Sequence, residues 1–472
     1  MKLIKNYLYN VVFQIFSIIL PLITTPYVSR IFGPSLIGVY AQTFVIVSYF
    51  VLIAGLGVNI YGNREIAFVR DDKNQLNQTF WEIIVMRIIT VTVVFVCFIF
   101  LLVFYQFKYK EILLIQSINI LAVALDISWF FLGLEDFKTN ILRNVIVKLL
   151  LLFFIFLLIH DLKDIYLYVG LMGGATFLGN LVFWPHLKKF IYKPDKPLKL
   201  FRHFKSSLIL FIPQIMISVY GLVSKNMLAV MDSNKSLGLF ENSDKISNAA
   251  LILVTSSCVV LIPRLANNHA KNDNALVKSM VSKSFDFVSF LAIPITFCLM
   301  SVAESFSLFF FGFKFQGIGI VLFSIAPVII MIGWKNTLGI QYLISIGKEK
   351  DFIISAIIGS LVNILLSFIL IPILGAVGAA VSLVISEFLI IVYQAFIIRK
   401  DLNIISLFLQ TWKYFFAGIV MSLVIKFLSF FTKGILGLFI QILLGAIVYF
   451  LLTITMKSNF TEFCKKNLRN LL

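Results

Sequence analysis

FWEIIVMRIITVTVVFVCFIFLLVF (80–104) decides the fold class. From Ile88 onward it carries no charged side chain, and the stretch is longer than the about 20 residues that an α-helix needs to cross the hydrocarbon of a bilayer. The rest of the chain repeats this pattern. Of its 472 residues, 60% are apolar and 13% charged, with 50 phenylalanines and a mean hydropathy of +1.00. Soluble domains carry about 25% charge and must show polar side chains at the surface, so soluble enzymes are excluded. Apolar runs between polar breaks predict an all-α, polytopic membrane protein of about 14 transmembrane helices. They fall at 8–29, 36–58, 80–104, 112–134, 141–159, 165–186, 206–231, 238–262, 285–311, 317–345, 352–371, 376–398, 408–428 and 434–456.

The 40 Lys and Arg against 22 Asp and Glu give a formal charge of +18. Nucleic acid is rejected as the partner, because basic residues flanking apolar spans are the topology signal of a membrane protein. With both termini cytoplasmic, 26 of the 40 lie in inner loops and tails and 7 in outer loops. Adding or dropping one helix would scramble that bias. The four cysteines (97, 258, 298, 464) are scattered and form neither a disulfide framework nor a metal pattern. The N-terminus reads as an uncleaved first span, since it lacks a small-residue cleavage site.

The polar stretch 186–207 holds seven basic residues among Phe and Leu, which suits a segment in the head-group layer. It divides the chain into an N-terminal six-helix bundle (1–186), a basic interfacial linker (187–205), a C-terminal six-helix bundle (206–400), and two additional helices with a basic tail (401–472). A repeat supports this. GVYAQ begins at Gly38 and GLFEN at Gly238, and Arg64 and Arg264 each follow 26 residues later. WFFLGLEDF (129–137) ends the fourth span as YLISIGKEKDF (342–352) ends the tenth. Two units of even span count share one orientation.

No GxxxxGK precedes Ser or Thr, so nothing would cradle a nucleotide, and no cofactor is implied. The four histidines (160, 186, 203, 269) lack metal spacing and read as interfacial. The informative residues are charges at bilayer depth, each a functional candidate because burial there is costly. Arg87, Lys225 and Lys335 are candidates for lining a substrate cavity, with Arg30, Arg64 and Arg264 at its mouths. Lys413 and Lys426 read as snorkelling, and Lys245 pairs with Glu241 on one helix face. Asp126, Glu304 and Glu387 have no basic partner nearby in sequence and are candidates for ion coupling or for pairing across helices. Pro21, Pro26 and Pro213 are candidate gating hinges, since proline frees a helix carbonyl. A cavity whose buried charge is mainly cationic prefers an anionic cargo, and Arg offers forked donors to phosphate oxygens.

PLITTPYVSRIFGP (21–34), GVYA (38–41), REIA (64–67) and DISWFFLGLEDF (126–137) resemble motifs of the bacterial flippases for undecaprenyl-diphosphate-linked polysaccharide repeat units, of the O-antigen and capsule type. These stand in one exporter superfamily with lipid II flippases and multidrug extruders. The resemblance implies two six-helix bundles around a cationic cavity, with Arg30 and Arg64 meeting the diphosphate or gating the cavity. Arg264 follows only through the internal repeat. Leu132 stands where the motif has a polar Gln, which puts a polar contact there in doubt.

The expected function is therefore a flippase, not an enzyme, in the bacterial cytoplasmic membrane. It would carry a polyprenyl-diphosphate-linked oligosaccharide from the inner to the outer leaflet by alternating access. Its partners would be membrane lipids, a polysaccharide polymerase and other assembly proteins. One rival is an ion-coupled multidrug extruder of the same fold, which would want an acid in span 8–29, where none occurs. The other is a membrane polymerase or ligase, which would want a large outer loop.

Overall fold

A computed structural model describes residues 2–194, 197–271 and 273–462. Among these residues the regular structure is helical throughout, without a strand. The chain forms two compact units, Met1–Asn226 and Met227–Leu472. The first contains α1 (Lys2–Gly55), α2 (Val58–Val69), α3 (Lys73–Phe104), α4 (Lys110–Gln116), α5 (Ile118–Leu125), α6 (Ser128–Gly133), α7 (Phe137–Leu158), α8 (Ile165–Leu181), α9 (Trp184–Leu187) and most of α10 (Leu200–Met231). The second contains α11 (Asn234–Ala270), α12 (Asn274–Phe311), α13 (Ile318–Ile325), α14 (Val328–Lys335), α15 (Glu349–Leu374), α16 (Ala376–Ile398), α17 (Ile404–Leu409), α18 (Trp412–Ser429) and α19 (Gly434–Thr455).

Eleven segments among the described residues are long and apolar enough to cross a membrane, and one of them, Ile19–Val69, covers most of the first two expected spans. The chain is a multi-pass membrane protein. Its apolar side chains point two ways, as a bilayer requires: Val93, Phe100 and Phe104 on α3 and Phe153 and Leu157 on α7 are exposed to the lipid position, while backbone polar groups are satisfied within the helices.

Several expected spans are not plain helices. Inside α1 the backbone leaves helical geometry at Gly33 (φ 71°, ψ 175°), a conformation that favours glycine, and Pro34 follows. Pro21 and Pro26 lie within the same helix. The side chains of Pro213 and Arg264 lie outside the described residues.

The span at 112–134 is broken at Ser117 and again at Asp126–Ile127, giving α4, α5 and α6. The span at 317–345 passes Pro327 and, after Lys335, becomes a π-helical segment, Asn336–Leu343. Proline accounts for the first of those changes, because it cannot donate to the preceding turn. Broken or π-helical turns inside a membrane survive only where side chains take up the freed backbone groups.

The basic stretch after α9 is tied to the first three turns of α3. Tyr192 donates from its backbone N to Asn77 Oδ1 (2.9 Å) and from its hydroxyl to Asn74 Oδ1 (2.6 Å). Trp81 Nε1 donates to Tyr192 O (2.7 Å), and Lys199 N to Glu82 Oε1 (3.0 Å). In the second unit α18 and α19 pack on α12, with Tyr414 donating to Asp286 Oδ1 (2.8 Å) and Tyr449 to Phe290 O (2.9 Å).

Candidate functional site

In the first unit the break at Asp126 leaves the carbonyls of Ala122, Leu125 and Asp126 without helical partners of the usual kind. Side chains supply them: Asn180 Nδ2 donates to Ala122 O (2.8 Å), Trp184 Nε1 to Leu125 O (3.0 Å), and Trp129 Nε1 to Asp126 O (3.0 Å). Arg87, on α3, completes the set. Its Nη1 donates to Asp126 O and to Asn59 Oδ1, both at 3.0 Å, and its Nη2 stands 3.5 Å from Asp126 Oδ2. The other carboxylate oxygen accepts from Ser128 N (3.0 Å).

This ion pair is deep, with the Arg87 side chain only 2% exposed, and it lines a cavity of about 390 Å³ with Tyr40, Ser48, Asn59, Gln116, Asn119, Thr176 and Asn180. Arg87 Nε and Gln116 Oε1 have no hydrogen-bond partner among the described residues. Arg143 is half-buried on α7. It donates to Asn180 Oδ1 (3.2 Å) and lies 4.3 Å over the Phe183 ring. The wall of this cavity is largely apolar, and the buried Nε of Arg87, which makes no hydrogen bond among the described residues, can take an anionic oxygen once it is uncovered.

The second unit holds a different pair. Lys335 Nζ lies 2.8 Å from Glu387 Oε1 and 2.7 Å from Oε2, with Glu387 1% exposed. Lys335 is the last residue of α14, immediately before the π-helical segment. Around it Ser284 donates to Gln341 Oε1 (2.7 Å), Gln394 to Ser355 Oγ (3.1 Å) and Asn363 to Ser386 Oγ (3.2 Å).

The other sequence candidates are dispersed. Arg30 is exposed and Lys225 half-buried. Arg64 is exposed, bonded to its neighbour Glu65 (3.0 Å) and 5.6 Å over Tyr61. Glu304 is exposed and lines a cavity in the second unit, as does Lys426. The end of α2, three residues past REIA, is tied to the WFFLGLEDF motif by Arg70, which donates to Glu135 Oε1 (2.7 Å), and that carboxylate holds the guanidinium above its ordinary pKa. His203, read as interfacial, is buried with Nδ1 2.7 Å from Tyr61 Oη and Nε2 2.7 Å from Glu82 Oε2. Sequence reasoning missed Asn59, Glu82, Arg143 and Asn180 as site residues. Glu82 and Arg143 had a signal, since each lies within two turns of the end of an apolar run; a lone Asn in a span carries too little contrast.

Comparison with known proteins gives a consistent picture. A family model described as "Polysaccharide biosynthesis protein" matches residues 3–269. A protein named "Putative O-antigen transporter" from Escherichia coli (strain K12) is 24% identical over 408 residues, covering 85% of this chain and 98% of that one. A relative of the same name from Shigella dysenteriae is 23% identical over 79% of this chain and 94% of its own. Among solved structures, "Lipid II flippase MurJ, inward closed conformation" superposes with a TM-score of 0.79 at 18% identity, covering 96% of this chain and 99% of that one. An inward-facing multidrug resistance MATE family transporter of the MOP superfamily gives 0.63 at 13% identity, over 82% and 95%.

Proposed function

From the premise that the chain belongs to the polysaccharide biosynthesis protein family, we propose that it is a flippase. It moves undecaprenyl-diphosphate-linked oligosaccharide repeat units from the inner to the outer leaflet of the bacterial cytoplasmic membrane by alternating access, both termini being cytoplasmic. The observation that carries the reading is Arg87: a guanidinium sunk in an apolar bundle, lining a cavity that also carries Asn, Gln and Ser side chains, with its Nε donor unpartnered among the described residues. The near-full-length likeness to the two relatives named as O-antigen transporters supports the choice of cargo.

The geometry suggests how the parts work. A diphosphate oxygen and the Asp126 carboxylate compete for one guanidinium, and the 3.5 Å separation of Arg87 from Asp126 marks a contact that is easily given up. Protonating Asp126 would release Arg87 to the cargo, which couples a proton to the anion. Arg30, Arg64 and Arg264 serve the diphosphate at entry and exit, and Lys225 continues the cationic lining. In the second unit Glu387 is held through both carboxylate oxygens by Lys335 and takes a structural role, not a coupling one. The chain acts as a carrier that makes and breaks no covalent bond, and it hands its cargo to a polymerase and other assembly proteins.

The test is reconstitution. Proteoliposomes containing the protein and undecaprenyl-diphosphate-linked oligosaccharide are exposed to an impermeant sugar-modifying reagent. The wild-type protein should expose inner-leaflet sugar on a timescale on which protein-free vesicles do not. Arg64→Ala, Arg264→Ala and Arg87→Gln should each lower the rate about tenfold or more, the worth of a charge-assisted hydrogen bond. Asp126→Asn should retain transport while losing its response to a proton gradient. Transport no faster than in protein-free vesicles would remove the reading.

A further inference from the structure

The second unit contains an unassigned cavity of about 980 Å³ between α12, α13 and α18, whose walls include Phe297, Ile320, Phe323 and Leu423. It lies at the opposite end of α18 from Lys413, whose ammonium caps the far end of α19 through Lys457 O (2.9 Å). Helices α12 and α18 run parallel here. Gly418 packs against Ile293 and Phe297, and one turn on, Ser301 Oγ donates to Ser422 Oγ (2.8 Å). One turn further again, Glu304 on α12 and Lys426 on α18 line the cavity.

At a rise of 1.5 Å per residue these two stand roughly 4.5 and 6 Å beyond the hydroxyl pair, so they share one depth. That depth is roughly 10 Å inside the end of α12 at Phe311 and roughly 4.5 Å inside the end of α18 at Ser429, which places it near the headgroup layer. Both residues are exposed, and among the described residues neither the carboxylate nor the ammonium is held in an ion pair or a side-chain hydrogen bond. Opposite charges left apart near the headgroup layer, beside an apolar cavity, invite a lipid as occupant. That occupant must present a cation and an anion side by side in the membrane plane, with apolar chains for the walls.

We propose that this cavity binds a phospholipid with a phosphoethanolamine headgroup, Glu304 taking its ammonium and Lys426 its phosphate. The headgroup dipole of such a lipid lies nearly flat in the bilayer, which matches two charges at equal depth. A primary ammonium gives Glu304 N–H donors that a choline headgroup lacks. An anionic phospholipid, or the diphosphate of the proposed cargo, would set like charge against Glu304. The proposal stands apart from the transport reading and does not need it.

The test uses the full-length protein, equilibrated with equal amounts of phosphatidylethanolamine, phosphatidylglycerol and phosphatidylcholine, and native mass spectrometry of what it retains. The wild-type protein should retain phosphatidylethanolamine about tenfold over either competitor, the worth of one charge-assisted hydrogen bond. Glu304→Gln should lose the preference over phosphatidylglycerol, and Lys426→Gln should lose retention of all three. The double exchange E304K/K426E, which restores both charges at the same depth with the dipole reversed, should recover retention that the single reversals lack. Equal retention of the three lipids by the wild-type protein, an unchanged preference in both Gln variants, or displacement of phosphatidylethanolamine by a polyprenyl diphosphate would each overturn the assignment.

Discussion

The two units solve one problem in two ways. Each breaks the helix that ends in the repeated motif, the fourth span at Asp126 and the tenth at Lys335, and each places an ion pair at the break. In the first unit the break carries the acid, the contact is 3.5 Å, and the pair faces a cavity with one guanidinium donor unspent. In the second the break carries the base, both carboxylate oxygens lie within 2.8 Å of the ammonium, and the acid is 1% exposed. A loose pair beside a cavity can exchange partners; a tight, dry one holds a π-helical turn together. Under the transport reading proposed above, exchange falls to the first unit and structure to the second.

The largest expected effect breaks the tight pair. Lys335→Met leaves Glu387 buried and uncompensated and should cost about 3–5 kcal/mol, read as thermal unfolding of the detergent-solubilised protein. The double variant K335M/E387M should recover most of that loss, because two well-packed apolar side chains replace a dry pair at little cost. If the single variant unfolds like the wild type, the second pair is not structural and the contrast fails.

A smaller effect tests the mount of the loose pair. Asn59, which holds Arg87, follows the left-handed turn at Gly57 (φ 69°), where a Cβ would meet Ser207 O at 2.9 Å and Phe211 N at 3.0 Å. Gly434 in the second unit has nearly the same φ (74°) with open space around it. Gly434→Ala should cost the left-handed penalty of about 1–2 kcal/mol, and Gly57→Ala more, because α10 must also move. Equal losses would mean that the approach of α10 does not constrain the turn carrying Asn59.

Much of this was legible before any coordinates. Composition and run length establish membrane helices, because about 20 apolar residues in a row have few other uses. The depth of Arg87 and Lys335 was legible for the same reason, since a cation inside such a run stands out. Their partners were not. Asp126 is 39 residues from Arg87 and Glu387 is 52 from Lys335, and a pairing across helices leaves no periodic trace in one sequence. The breaks were equally hidden: Asp126 interrupts the fourth span without a glycine or proline beside it, and Lys335 gives no sign of a π-helical turn after it. The contacts of His203 were hidden for a related reason, because its two partners, Tyr61 and Glu82, come from distant segments.

The smallest expected effect separates stability from exchange. Trp129 and Trp334 are matched tryptophans, one in each unit: Trp129 Nε1 donates to Asp126 O (3.0 Å) and Trp334 Nε1 to Ser289 Oγ (2.8 Å). Replacing either with Phe removes one buried hydrogen bond worth about 1 kcal/mol, so the two variants should lose similar stability. Their effect on transport should differ. The carbonyl that Trp129 holds is also the one that Arg87 grips at 3.0 Å, so Trp129→Phe loosens the guanidinium and should slow reconstituted transport several-fold. Trp334 makes no hydrogen bond to its neighbour Lys335 or to Glu387, so Trp334→Phe should leave the rate unchanged. Slowing of equal size in both variants would show that transport follows stability alone, and the loose pair would lose its claim to exchange.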